Sequence, residues 1–175
     1  MPKINLTAGQ RAQRKTLITV AKWKEGEEEK VEILGTRTED SSIEFNADTA
    51  TSTDIRGITY TDVNKTEPQQ SFDPFYILGG SDLSAYLSAA ALRNDIDAYN
   101  NVFDVYIIAA FMTEGEATAE DGKYYTVKHA NCTILPTAIG GDSYNSMPIE
   151  LHYSNNITEG TVDVLTEAFK FTPLA

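Results

Sequence analysis

The run Val102–Met112, VFDVYIIAAFM, constrains this chain more than any other. Phe103, Val105, Ile107, Ala109 and Phe111 alternate along it and make one continuous apolar face. On the other face Asp104 interrupts Val102, Tyr106 and Ile108, so that side is mixed. A period of two is the mark of a strand, and an apolar strand face has to be covered by another layer.

Shorter segments of the same kind recur from end to end. Leu17, Ile18, Val20 and Trp23 make a first strand, Gly26-Glu27-Glu28-Glu29 a solvated turn, and Val31 and Ile33 a second strand. Ser42 to Phe45 make a short third strand, and the Asp, Ala, Ser and Thr between Asn46 and Thr53 read as a loop. Tyr124 to Leu135 is a long strand closed by Pro136, followed by strands at Met147–Tyr153, Gly160–Leu165 and Phe169–Thr172. The acidic segment 113–122 has the Asp121-Gly122 signal of a hairpin. One helix interrupts the pattern, over 81–93. Ser81 follows two glycines as an N-cap, and Leu83, Tyr86, Leu87 and Ala90 form one apolar stripe. The expected fold is mainly β with one α-helix, an antiparallel β-sandwich or barrel.

With 175 residues, the chain reads as one domain, 1–175, long enough to bury a sizeable core. Within it, 1–14 is an N-terminal arm and 46–76 a loop and projecting hairpin. In that hairpin Ile58, Tyr60 and Asp62 alternate with Thr59, Thr61 and Val63, Asn64-Lys65 turns the chain, and Thr66 to Ser71 returns it. Pro68 lacks an N–H, which confines the return to an edge or a loop. Phe72, Phe75, Tyr76, Ile77 and Leu78 make its root apolar.

Charge is unusual in amount and in placement. The net charge of -12 argues against a surface that grips nucleic acid, which would neutralise phosphates with Lys and Arg. Residues 1–24 nevertheless carry Lys3, Arg11, Arg14, Lys15, Lys22 and Lys24 and no acid. From Thr38 onward 21 acids face six Lys or Arg. A basic segment on an acidic body suits attraction between neighbouring copies, or an arm folded back on its own domain. Cys132 is the only cysteine, which rules out an intramolecular disulfide and fits a reducing compartment. No apolar run is long enough to span a bilayer, and the N-terminus has no signal-peptide core, so no membrane insertion is expected.

The string GITYTDVNKTEPQQSFDPFYILGGSDLSAYL, with ILGTRTEDSSIEFNADTATSTDIRG before it, resembles the major tail protein of long-tailed bacteriophages (siphoviruses) of Gram-positive hosts. The likeness extends over residues 17–172. It implies the tail-tube fold, with one helix beside a β-sandwich or barrel. It also implies a structural subunit that forms hexameric rings, stacked into a hollow tube for DNA ejection. Partners implied are a tape-measure protein, tail-terminator and tail-tip or baseplate proteins, and DNA in transit without specific binding. The implied location is the virion tail, assembled in the bacterial host cytoplasm.

Chemistry finds little support in the residues. His129 and Cys132 stand three apart in a strand, on opposite faces, and His152 would make at most three ligands without zinc spacing. No G-x-S-x-G elbow, Walker motif or EF-hand is present, and Glu39-Asp40 and Asp95-x-Asp97 lack a calcium pattern. No enzyme, catalytic residue, metal site or cofactor is expected.

For a tube subunit, contacts between copies are expected at Arg11, Arg14 and Lys15 in the arm and at Trp23 beside Lys22 and Lys24. The hairpin would add Tyr60, Lys65, Glu67, Gln69 and Gln70, with Phe72 and Phe75 at its root as interface anchors or as core. Glu44, Asp62, Asp104, Glu150 and Asp163 sit at alternating strand positions and are the candidates to line the lumen, where they would repel phosphates. One alternative is a β-sandwich that binds protein or glycan, which would gather exposed aromatics around one concave patch. Another is the inner tube subunit of a contractile tail, which shares the ring architecture and differs by the presence of a sheath.

Overall fold

The computed structural model describes residues 2–38, 41–114, 123–163 and 169–174. In chain order the strands are β1 (Pro2–Ile4), β2 (Leu17–Glu25), β3 (Glu28–Ile33), β4 (Ile43–Glu44), β5 (Asp48–Thr53), β6 (Thr59–Lys65) and β7 (Gln69–Phe72). After the helix α1 (Asp82–Arg93) come β8 (Phe103–Ala109), β9 (Met112–Glu114), β10 (Lys123–Pro136), β11 (Ile149–His152), β12 (Ile157–Asp163) and β13 (Phe171–Pro173). All pairings are antiparallel. The protein is mainly β with one α-helix, as its alternation demands.

Two sheets share one strand. The larger runs β3-β2-β8-β10-β12-β13, and the smaller β10-β11-β7-β4. β10 serves both because its pairing with β8 shifts register between His129 and Cys132, with Asn131 at φ 61°. Such a bulge bends a strand and strengthens its twist. It also reverses one expectation: His129 opposes Val105 and Cys132 opposes Phe103, so both lie on the same, buried face.

The main core fills the space between the sheets and the helix. Ala21, Trp23, Phe103 and Val105 of the large sheet meet Phe72, Ile149 and Leu151 of the small one, and Leu83, Leu87 and Ala90 of α1 close one side. The other face of β8, mixed in sequence, is covered as well. Tyr106 stands edge-on to Phe169 and Phe171 at 4.9 and 5.3 Å, and Val20, Ile108 and Val162 complete a second cluster. Gly160 permits this, since a Cβ there would come within 2.5 Å of the Phe171 ring.

Glu32 on β3 ties the helix to the sheet. Its Oε2 accepts the Leu83 N–H at 2.9 Å and its Oε1 the Ser81 hydroxyl at 2.6 Å, while Ser81 Oγ accepts from Ser84 N–H at 3.1 Å. Two of the four free amide donors at the helix start are thereby satisfied. At the other end Asn94 adopts the left-handed conformation and caps Ala90 and Ala91.

Several boundaries differ from those expected. Residues 48–53 are a strand, and the hairpin turns at Asp54–Gly57, with Asn64-Lys65 inside or ending β6. The segment after Pro68 is β7, held between β11 and β4. Pro68 sits just outside β7, where its missing N–H costs no ladder bond, and its carbonyl accepts from Tyr153 N–H at 3.0 Å. The long apolar run ends at Ala109; after a turn, β9 pairs with β1. The residue pairs Glu39-Asp40 and Asp121-Gly122 and the end of the strand expected to reach Leu165 lie outside the described residues.

Candidate assembly surface

The β5–β6 hairpin stands apart from both sheets. Among the described residues its strands pair only with each other, and every residue in them is exposed. The tip is built by Asp54, whose Oδ1 accepts the N–H groups of Arg56 at 2.8 Å and Ile58 at 3.0 Å. The bond from Ile58 leads in holding this carboxyl below the usual aspartate range. Asn46 and Glu67 tie the root, through Glu67 N–H to Phe45 O at 3.0 Å and Asn46 Nδ2 to Glu67 O at 3.2 Å. A free two-stranded sheet is marginal in water, so such an arm calls for a partner.

The two faces of the arm differ. Pairing places Thr49 with Val63, Thr51 with Thr61 and Thr53 with Thr59 on one face. The other carries Ala50 with Asp62 and Ser52 with Tyr60, and Ile58 follows in the same alternation. Tyr60 is 48% and Ile58 45% exposed. Charge on the arm is partly self-neutralised, by Arg56 with Asp54 at 3.5 Å and Lys65 with Glu67 at 2.6 Å. The Lys65 bond lowers the pKa of Glu67. Asp48 and Asp62 have no cationic partner among the described residues.

The N-terminal segment is folded back onto its own domain. β1 pairs with β9, Asn5 N–H donates to Phe111 O at 3.0 Å, and Asn5 Nδ2 to Ala110 O at 3.4 Å. Residues 7–15 are exposed. Arg14 donates to the carbonyls of Leu17, at 2.8 Å, and of Ser41, and so straps the start of β2 to the loop before β4. Neither Arg14 nor Lys15 pairs with a carboxylate among the described residues. Beside them opens a cleft of about 420 Å³ whose apolar lining includes Leu17, Ile18, Ile33 and Leu34. Ile33 is 60% exposed.

Four of the interface candidates are buried in the single chain: Trp23 and Gln70, and Phe72 and Phe75, for which the sequence allows core as well. Trp23 packs tilted against Tyr86 and Phe103, at 6.1 and 6.2 Å, and is buried. Phe72 and Phe75 are buried in the main cluster, because β7 is an internal strand of the small sheet and not a projecting one. Gln70 is buried too; its Oε1 accepts from Thr19 Oγ1 at 3.0 Å and Tyr153 OH at 2.6 Å, and its Nε2 donates to Ser41 O. Arg11, Arg14, Lys15, Tyr60, Lys65 and Glu67 are exposed, and Gln69 is half-buried.

The five lumen candidates do not share a surface. Glu44 and Glu150 lie on the outer face of the small sheet, where Glu150 stands 3.6 Å from His152. Asp104 is on the outer face of the large sheet, bonded to Lys128 at 2.6 Å, near Lys22 with Glu29 at 2.9 Å. Asp62 is on the arm, and Asp163 ends β12 opposite Lys123.

His129 and Cys132 are tied up in the fold. His129 Nδ1 bonds Ser154 O at 2.8 Å, Cys132 is buried, and burial raises the Cys132 thiol and the Tyr153 hydroxyl. No group of three His, Cys, Asp or Glu is placed to hold a metal among the described residues. Nor is any described helix long and apolar enough to cross a membrane. A second concavity, of about 480 Å³, is lined by Arg37, Tyr76, Leu78 and Tyr144, with Tyr144 79% exposed.

No protein-family model matches the chain, and no curated protein matches its sequence. Among solved structures, the chain is similar to the sheath/tube terminator of PVC, an extracellular contractile injection system, in its extended state. The identity is 13%, over 87% of this chain and 99% of that chain, with a TM-score of 0.48. The tube-terminating cap of the anti-feeding prophage is 15% identical, over 89% of this chain and 95% of that one, at 0.44. A chain of the PVC sheath-tube complex in its extended state is 15% identical, over 87% and 93%, also at 0.44.

Proposed function

We propose that this protein is the tube subunit of a bacteriophage tail, forming hexameric rings that stack into a hollow conduit for DNA ejection. One observation carries the reading: the β5–β6 arm, exposed on both faces and paired with nothing else among the described residues. An arm of this kind is completed by a neighbouring copy, and a closed ring removes open sheet edges such as β3. The likeness of residues 17–172 to major tail proteins supports the same role, with tape-measure, terminator and tail-tip or baseplate proteins as partners in the virion tail.

The net charge of -12 suits a passage that must not hold DNA. Glu44 and Glu150, which share one outer face, are the pair we assign to the lumen; Asp104 is neutralised by Lys128. The work of such a subunit is mechanical and electrostatic, without a catalytic step.

The test is electron microscopy of the full chain across protein concentration and salt, beside a variant with residues 48–65 replaced by a short Gly-Ser loop. Asp48 and Lys65 stand opposite each other, so the ends can be rejoined. The native chain is expected to give rings or hollow tubes, and the variant to keep its fold and lose the tubes. Identical tubes from the variant, or no assembly by the native chain, would sink the reading. A second reading, a glycan- or protein-binding module, has the concavity of Tyr76 and Tyr144 in its favour. Saturable glycan binding lost in Tyr144→Ala, by a chain that stays monomeric, would support it.

A further inference from the structure

We propose that the cleft beside Arg14 and Lys15 receives the arm of a second copy of this chain, through the face bearing Ile58, Tyr60 and Asp62. The inference rests on the tube reading and names the surface on which the arm lands.

The argument is one of matched chemistry. The cleft has an apolar floor, Leu17, Ile18, Ile33 and Leu34, and a basic rim, Arg14 and Lys15. Both rim cations lack a carboxylate among the described residues, and Arg14 is spent on the carbonyls of Leu17 and Ser41. Lys15 is exposed and has no side-chain bond among the described residues, which leaves it to meet an anion from outside. The arm offers the complement in the same order along one strand face. Ile58 and Tyr60 are apolar and near the tip; Asp62 follows, with no cationic partner among the described residues. From Ile58 to Asp62 is about 13 Å at the rise of a strand. The opposite face, Thr49, Thr51, Thr53, Thr59 and Thr61 with Val63, carries no charge to match Lys15.

The occupant is a second copy because the arm of the same chain leaves this face exposed. The arm also uses up its own cations, Arg56 on Asp54 and Lys65 on Glu67, so it approaches as an acidic element. Docking would bury Tyr60 and Ile58 against Ile33, which are 48%, 45% and 60% exposed in the single chain. It would also give the two-stranded arm the support it lacks.

Two measurements on the full chain test this. In the first, Ser52→Cys or Thr51→Cys is combined with Ile33→Cys, and assembled protein is oxidised and resolved without reductant. Ser52 shares the Tyr60 face and Thr51 the opposite one, while Cys132 is buried and leaves little background. We expect intermolecular disulfides from the Ser52 pair and not from the Thr51 pair. In the second, Lys15→Glu and Asp62→Lys are made singly and together. Each single change should raise the concentration needed for assembly about fivefold, the effect of a surface ion pair near its upper range, and the double change should restore it. Rings or tubes in which both cysteine pairs cross-link alike, or only the Thr51 pair does, would overturn the docking while leaving the tube reading in place. Single and double charge variants that assemble alike would do the same. A native chain that forms no assembly would remove both.

Discussion

Replacing Glu32 with alanine tests the claim that the helix is fastened by a strand residue distant in sequence. The change removes the acceptor for Leu83 N–H and for the Ser81 hydroxyl. A hydrogen bond to a charged group contributes about 1.5–3 kcal/mol, and a carboxylate at a helix N-terminus adds about 0.3–1 kcal/mol. Glu32 is half-buried, so solvent replaces part of this, and a loss of about 2 kcal/mol is expected. With a urea slope of about 3 kcal/mol/M for a chain of this size, the midpoint should fall by about 0.7 M. The only tryptophan, Trp23, is buried 6.1 Å from Tyr86 of the helix, so its fluorescence reports helix docking. Urea titration should be run at concentrations where the chain is monomeric. Glu32→Gln keeps an acceptor without its charge and should fall between the two. Ser81→Ala, combined with Glu32→Ala in a double-mutant cycle, should show coupling of about 1 kcal/mol. A loss under about 0.5 kcal/mol for Glu32→Ala, or no coupling, would refute the fastening.

Two further outcomes are expected. Phe72→Ala should destabilise the monomer by about 3–5 kcal/mol in chemical denaturation, because Phe72 is core; an unchanged monomer with impaired assembly would return it to the interface. For Asp54, folding lowers the carboxyl pKa, so its contribution is present above the ordinary aspartate range and lost as pH falls through the lower folded value. The amide signals of Arg56 and Ile58 should therefore titrate together below that ordinary range, and a midpoint at or above it would contradict the turn.

Strong periodicity was readable and weak composition was not. β8 carries a long alternation of apolar side chains, β2 and β10 are rich in apolar, aromatic and β-branched residues, and α1 has a cap, a stripe and a stop, so each follows from its own residues. The arm was half legible. Residues 59–63 read as a strand, but their partner 48–53 is small and polar, because neither of its faces has a core to meet. The turn was misplaced for the same reason, since Asp54 sets it through two local bonds that no hydrophobic pattern records. Gln70 shows the opposite failure. A polar run reads as solvated, and only the fold shows that Thr19, Tyr153 and Ser41 satisfy a buried amide. The bulge at Asn131 likewise defeats parity counting, which assumes that strands have no extra residue. Glu32 gave no signal within its acidic stretch, because its partners lie some fifty positions away.

β10 has one more consequence. Because a single continuous strand belongs to both sheets, the layers cannot slide past each other without distorting covalent backbone at the Asn131 bend. Load applied across the sandwich therefore passes through bonded chain and not through a greasy interlayer contact alone. In the proposed tube, the body of each subunit would act as a stiff block, and curvature under bending would be taken up by the slender two-stranded arms.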